Sequence, residues 1–220
     1  MTGLVFLHGW GFGPEIWSPW ADAFPKRPVA LLDAGYFGST QMTLPPNSDG
    51  WIGVGHSLGF ARLLSMDVRW RGLIGLGAFL RFCPVPGRDS GTPAEVLDAM
   101  LAHLDTAPAN VLTRFLRRCG LKGQPSALPG PDGLARLRQD LLVLRELDLG
   151  ATPELLASAP PALLLHATDD RIAPVELARE AHELLPGSQL HVFQSGAHAL
   201  PVTRPDKCLA LAEEFLRATA

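Results

Sequence analysis

WIGVGHSLG, residues 51–59, is the stretch whose reading decides the fold. It opens as an apolar run, sets Ser57 between Gly55 and Gly59, and passes into FARLLSM, where apolar residues recur at helical spacing. A strand that turns sharply into a helix needs small residues on both sides of the turn. That gives Gly55 and Gly59 a steric role and holds the Ser57 hydroxyl clear of the backbone. Gly-x-Ser-x-Gly alone is a weak signal; its place between a strand and a helix is what gives it meaning. The turn also leaves the Leu58 N–H at the amino end of a helix, where developing negative charge is favoured.

Outward from this stretch, further apolar runs occupy residues 4–7, 29–32, 73–76, 162–165 and 189–193. Nearly unbroken runs of that length are what strands buried on both faces look like, so a mostly parallel sheet is expected. Helical spacing over 59–66, 175–185 and 205–218 separates the runs, which makes the class α/β. Residues 82–157 break the alternation. They carry helical patterns near 94–104, 109–118 and 133–147 and no convincing strand, so the expected organisation is a core of 1–81 and 158–220 with a helical lid inserted at 82–157.

Composition narrows the function. A chain of 220 residues that is 47% apolar can fill one large core. Its net charge of -3 and lack of a long basic run argue against a nucleic-acid surface. Cys83, Cys119 and Cys208 are odd in number and widely spaced, which suggests reduced thiols rather than disulfides or a zinc site. The opening MTGLVFLHGW lacks the basic region of a signal peptide, and no apolar stretch is long enough for a membrane span. A cytoplasmic monomer acting on a small molecule, without membrane contact, is the expectation.

Serine is a weak nucleophile near neutral pH and needs a base. Of the seven histidines, His191 falls in a strand pattern and His182 in a helix, while His103 and His166 have no companion signal. His56, beside the serine, is expected to line the pocket. His198, in SGAHAL, follows the last strand in a glycine-bearing loop, which delivers it to the carboxyl edge of the sheet where sites in open α/β folds gather. The third member should be a carboxylate that fixes the imidazole tautomer. LLLHATDDRIAP supplies Asp169 and Asp170 after a strand, and Asp170 is preferred. The order Ser57, Asp170, His198 is the chain order expected where the serine sits in such a strand-turn-helix of an α/β fold. LHGWGFG, after the first strand, offers a second oxyanion donor in the Trp10 N–H, with Gly9, Gly11 and Gly13 allowing close approach and His8 ordering the loop. That glycine cluster lacks both the dinucleotide spacing and a Walker lysine. The chemistry requires no metal and no organic cofactor.

Taken together, FLHGWG, DAGYFG, GHSLG, DDRIAP and GAHAL resemble the α/β-hydrolase superfamily along nearly the whole chain. Within it, LVFLHGWGFGPEIW, TRFLRR and LRELDLGATPELL are similar to the family of pimeloyl-acyl-carrier-protein methyl-ester esterases of biotin synthesis. The resemblance implies a serine carboxylesterase with Ser57, Asp170 and His198 as its triad, Trp10 and Leu58 as oxyanion donors, and Phe115 against the acyl chain. It also implies an acyl carrier protein as partner. Arg114, Arg117, Arg118 and Lys122 fall at spacings of three, one and four, so several of them are expected to share an exposed helix face that would attract such an acidic protein. The alternatives are a carbon-carbon bond hydrolase or elimination enzyme of the menaquinone-pathway type, or a hydrolase-fold receptor without catalysis. Three features depart from the pattern. The chain opens directly on the first parallel strand, so the antiparallel strands that usually begin the sheet are expected to be missing. Too few residues separate Asp33 from Ser57 for the usual intervening helix. His56 and Phe60 stand where tryptophan and glycine are common.

Overall fold

The computed structural model describes residues 1–47, 49–123, 125 and 127–219. Six strands form one sheet: β1 (Gly3–Leu7), β2 (Val29–Leu32), β3 (Trp51–His56), β4 (Gly72–Leu76), β5 (Ala162–Ala167) and β6 (Gln189–Phe193). They lie in the order β2-β1-β3-β4-β5-β6, and every pairing is parallel. Each strand falls on a run expected from the sequence. β1, β3, β4 and β5 are buried along their whole length, whereas β6, at one edge, alternates. The two-residue period divides the core: Leu4 and Phe6 enter one apolar cluster, Val5 and Leu7 the other.

The helices are α1 (Ser18–Ala23), α2 (Leu58–Ser65), α3 (Ala94–Leu104), α4 (Pro108–Arg118), α5 (Pro131–Glu146), α6 (Pro153–Ala157), α7 (Val175–Leu184), α8 (Leu200–Thr203) and α9 (Pro205–Ala218). One sheet face is covered by α2, α6 and α7 through Leu63, Leu156 and Ala181. The other is covered by α1 and α9 through Trp20 and Phe215, and that cluster runs on without a break into α3, α4 and α5 through Leu97, Leu112 and Leu141. The sequence did not reveal α1, α6 and α8. They have 6, 5 and 4 residues, too short for a periodic pattern, and each begins with a proline in its first turn.

Among the described residues no helix intervenes between β2 and β3, as the short interval implied; instead Asp33 and Gln41 form an isolated antiparallel bridge beside the β2 edge. The helical segment is clasped where it meets the core. Arg81 and Asp148 form another such bridge, and the Leu149 N–H donates to the Leu80 carbonyl at 2.8 Å. Buried Arg81 grips Glu180 of α7 with two bonds, Nε to Oε1 at 2.9 Å and Nη2 to Oε2 at 2.5 Å, and Arg88 bonds both Glu180 and Asp148. Cys83, Cys119 and Cys208 are buried free thiols. Among the described residues no helix is long and apolar enough to cross a membrane.

Candidate active site

Because all six strands run the same way, the loops leaving β1, β3, β5 and β6 gather at one edge of the sheet. Ser57, at the end of β3, has φ 55° and ψ −125°, a region that a residue with a Cβ enters only under constraint. The constraint is steric. A Cβ on Gly55 would stand 2.4 Å from the Phe60 Cα, and one on Gly59 would stand 2.2 Å from the Leu7 carbonyl oxygen. Ser57 holds the cap position of α2 without making a side-chain cap bond, and it lines a cavity. Its hydroxyl is therefore free for other work.

His198 sits fully buried in the loop between β6 and α8. Its Nδ1–H donates to Asp170 Oδ2 at 2.7 Å, which assigns the tautomer and leaves Nε2 bare. Among the described residues that Nε2 is buried and has no partner. The Ser57 N–H donates to the Leu76 carbonyl at 2.9 Å, and the His198 ring lies 3.1 Å from where a Cβ on the next residue, Gly77, would stand. Imidazole and serine thus occupy the same corner. No hydrogen bond joins them among the described residues; such contacts are commonly loose in a resting site and tighten on substrate.

Asp170 is buried, with Oδ1 accepting from the Ile172 and Ala173 N–H groups at 2.8 and 2.9 Å. Burial by itself would push its pKa up; the facing imidazoles of His198 and His166 outweigh this and hold the carboxyl well below the usual range. Behind the serine, the loop at 8–13 comes so close that a Cβ on Gly9 would stand 2.8 Å from the Ser57 Cβ. The N–H groups of Trp10 and Leu58 make no backbone bond among the described residues. The Trp10 indole N–H donates to the Leu137 carbonyl at 2.8 Å, tying this loop to α5. His8 orders the loop from within, donating from Nδ1 to the Gly9 carbonyl at 2.9 Å and accepting from the Ala34 N–H at Nε2, 3.1 Å away.

A cavity of about 650 Å³ opens over Ser57. Its walls are apolar, with Phe82, Leu97, Met100, Val111 and Phe115, while Glu95, His103, Arg114 and Arg118 add charged or titratable groups. Phe115 of α4 packs edge-on against Trp10, with ring centroids 4.8 Å apart, so the helical cover and the loop after β1 form one wall.

A solved esterase from Exiguobacterium antarcticum matches this architecture over 100% of the chain and 92% of its own, with a TM-score of 0.78 at 18% identity. The chain has the α/β-hydrolase fold. By sequence the chain is similar to the pimeloyl-[acyl-carrier protein] methyl ester esterase of Aromatoleum aromaticum, 27% identical over 97% of this chain and 98% of the relative. It is also similar to the 2-hydroxy-6-oxo-2,4-heptadienoate hydrolase of Pseudomonas putida, 25% identical over 98% and 89%. A family model described as TAP-like protein matches residues 149–219, the part that carries Asp170 and His198. The expectation of a carboxylic ester hydrolase agrees with the similarity to the Aromatoleum esterase.

Two expectations need correction. His56 is fully buried and stands behind the cavity rather than in its lining, because its side chain leaves the last position of β3 toward the Phe12 and His198 rings, with centroids 5.0 and 4.9 Å away. The expectation that several of the four basic residues share a face narrows to two of them. Arg114 and Arg118, one turn apart on α4, both line the cavity, whereas Arg117 does not, and Lys122 lies beyond the helix. α4 ends there because Gly120 takes φ 91° and the Leu121 N–H returns to the Leu116 carbonyl at 3.0 Å.

Other contributors were not foreseen. Asp169, read as a rival of Asp170, accepts the Gly196 and Ala197 N–H groups at 2.9 and 2.8 Å and so pins the loop that carries His198. His166 donates from Nε2 to the Ala173 carbonyl at 2.8 Å and lies 3.3 Å from Asp170 Oδ2. Its place four residues before Asp170 in LLLHATDD was the available signal. Beneath α5, Asp140 accepts from the Tyr36 hydroxyl and from Arg62, and Tyr36 is driven well above its ordinary pKa by burial and then by that carboxylate.

Proposed function

We propose that this α/β-hydrolase is a serine carboxylesterase that removes the methyl, or another short alkyl, group from the ester end of a medium-length acyl chain. The other end of that chain would be a thioester on acyl carrier protein, the pimeloyl ester of biotin synthesis being the suspected case, in the cytoplasm. The observation that carries the reading is the junction of three features: a serine forced into a strained turn, a buried His198–Asp170 pair whose second imidazole nitrogen is bare, and an apolar cavity above the serine.

In this mechanism Ser57 Oγ attacks the ester carbonyl while His198 Nε2 takes its proton. The carbonyl oxygen gains charge and is met by the N–H groups of Trp10 and Leu58, at the amino end of α2. The tetrahedral intermediate collapses as His198 returns the proton to the departing alkoxide, which leaves as methanol. Water then gives a proton to His198, attacks the acyl-serine, and releases the carboxylic acid and the Ser57 hydroxyl. Asp170 holds the imidazole tautomer and stabilises its charged form throughout. Residues 82–157 act as the lid, and Phe115 lies along the acyl chain.

Exposed Arg114 and Arg118 fit a carrier protein whose acidic surface is steered toward the cavity opening. Turnover of a methyl acyl ester on carrier protein, set beside p-nitrophenyl esters, tests the reading: Ser57→Ala abolishes both. Arg114→Glu slows the carrier substrate about tenfold at low salt, a loss that shrinks as salt rises, whereas any change with the uncharged p-nitrophenyl ester does not depend on salt. Equal rates for carrier-bound and free esters would remove the carrier from the proposal. Cleavage of a carbon-carbon bond in a dienoate substrate, with esters left intact, would favour the hydrolase likeness instead.

A further inference from the structure

His56 is a buried titratable side chain at the centre of the site that takes no part in the proton transfers. His56 adjoins Ser57 in sequence, yet its ring leaves the cavity and reaches across to the His198 loop, where Nε2–H donates to the His198 backbone carbonyl at 3.1 Å. That contact fixes the proton on Nε2, and Nδ1 is then bare and, among the described residues, without a partner. The Nδ1 faces the loop after β1, where a Cβ on Gly9 would lie 3.1 Å from it, and the ring stands edge-on to Phe12 of the same loop. One side chain therefore touches the loop with the Trp10 oxyanion donor, the strand end that carries the serine, and the loop that carries the base.

The His198 loop needs such a tie. Ala197 is in the left-handed region at φ 53°, a conformation that costs energy for any residue with a Cβ and persists only when neighbours impose it. The Asp169 carboxylate holds the loop from the side before His198, through the N–H groups of Gly196 and Ala197. From the opposite side, the His198 carbonyl accepts from the Leu200 N–H at 2.9 Å and from His56. His56 is the one side chain bonded to the backbone of residue 198 among the described residues. Burial and the neighbouring His198 keep His56 neutral, so it can serve this carbonyl while the adjacent imidazole gains and loses a proton.

We propose that His56 is a positioning residue that fixes the base: its N–H anchors the His198 carbonyl and thereby sets the distance from His198 Nε2 to the Ser57 hydroxyl. This rests on the esterase reading of Ser57 and His198. Glutamine and methionine nearly match each other in volume, and only glutamine brings an N–H to the place of the imidazole Nε2. His56→Gln and His56→Met are compared with wild type on p-nitrophenyl butyrate, with kcat per site titrated by fluorophosphonate and with thermal melts confirming folded protein. If His56→Met does not fold, His56→Leu takes its place.

His56→Met is expected to lose about tenfold to a hundredfold in kcat per titrated site, the scale of a base displaced by a fraction of an ångström to an ångström, with KM within about twofold. His56→Gln recovers most of that loss. A role confined to stability would lower the melting temperature and the number of titratable sites but leave kcat per site intact in both variants, and that result overturns the proposal. Equal losses in Gln and Met overturn it as well. Ser57→Ala is assayed alongside: if it still turns over the ester, the esterase reading itself fails, a result distinct from either outcome at His56.

Discussion

Replacing Asp170 by asparagine separates the chemical role of this carboxylate from its structural one. Oδ1 accepts from two backbone N–H groups, and the amide oxygen of asparagine can take over both bonds, so the loop at 170–173 keeps its form. The amide nitrogen then occupies the place of Oδ2, 2.7 Å from His198 Nδ1. Two N–H groups cannot face each other there, so the imidazole must move its proton to Nε2 and present a donor where the serine needs an acceptor. Tautomer reversal of this kind costs about 10⁴ in kcat, roughly 5 kcal/mol of transition-state stabilisation. Asp170→Ala reaches the same loss of activity but also strands the Ile172 and Ala173 N–H groups in a buried place, at about 1–3 kcal/mol each. Steady-state turnover of a p-nitrophenyl ester, read with urea unfolding at pH 7.5, gives both quantities. Asp170→Asn within tenfold of wild-type kcat would refute the assignment of this carboxylate as the group that sets the base.

Stability should fall as pH drops below about 6.5: His56 is held below its ordinary pKa, so the unfolded chain binds the proton first. The slope from this group is at most about 1.4 kcal/mol per pH unit, and urea unfolding between pH 7.5 and 5 should show a smaller slope in His56→Gln. Asp170, also lowered, contributes stability that is present above about pH 4 and lost below it, so its effect is separable in the same series. At the alkaline end the sign reverses. Tyr36 is raised well above 10.0, so its contribution is whole below about pH 10 and lost as pH climbs past it; Tyr36→Phe should flatten that limb of the unfolding curve. Asp140→Ala leaves Arg62 unpaired and the Tyr36 hydroxyl buried without an acceptor, and should cost about 3–5 kcal/mol in urea unfolding. Gly59→Ala drives a methyl to 2.2 Å from one backbone oxygen and 2.7 Å from another, and should abolish fluorophosphonate labelling of Ser57 or prevent folding altogether.

The elements visible in the sequence were those whose signal is local. Four strands are buried on both faces and so read as continuous apolar runs, and the long helices α3, α4 and α5 repeat their apolar stripe often enough to be seen. The serine turn was legible for the same reason: the glycines that permit it lie two residues either side. What stayed hidden depends on contacts between distant parts of the chain. The acceptor for the His56 N–H is 142 residues away, and the carboxylate that accepts from the Tyr36 hydroxyl is 104 residues away. The orientation of His56 also could not be inferred from its adjacency to Ser57, because successive side chains of a strand leave on opposite faces.

The pair Asp169 and Asp170 illustrates why a motif can name a carboxylate and still miss half of its chemistry. A general base needs its ring held in one tautomer and its backbone held in one place, and these are different tasks with different geometry. A carboxylate that faces the imidazole meets the first; a carboxylate that receives the N–H groups just before the histidine meets the second. In the turn beyond β5 the two neighbouring acids divide the tasks, with Asp170 on the ring and Asp169 on Gly196 and Ala197. With His56 closing on the carbonyl of the same residue, the histidine is gripped at the side chain, at the backbone before it and at its own carbonyl. Loosening any one of these grips should therefore lower kcat in proportion to how far the imidazole drifts, while KM, governed by the apolar walls above, stays nearly constant.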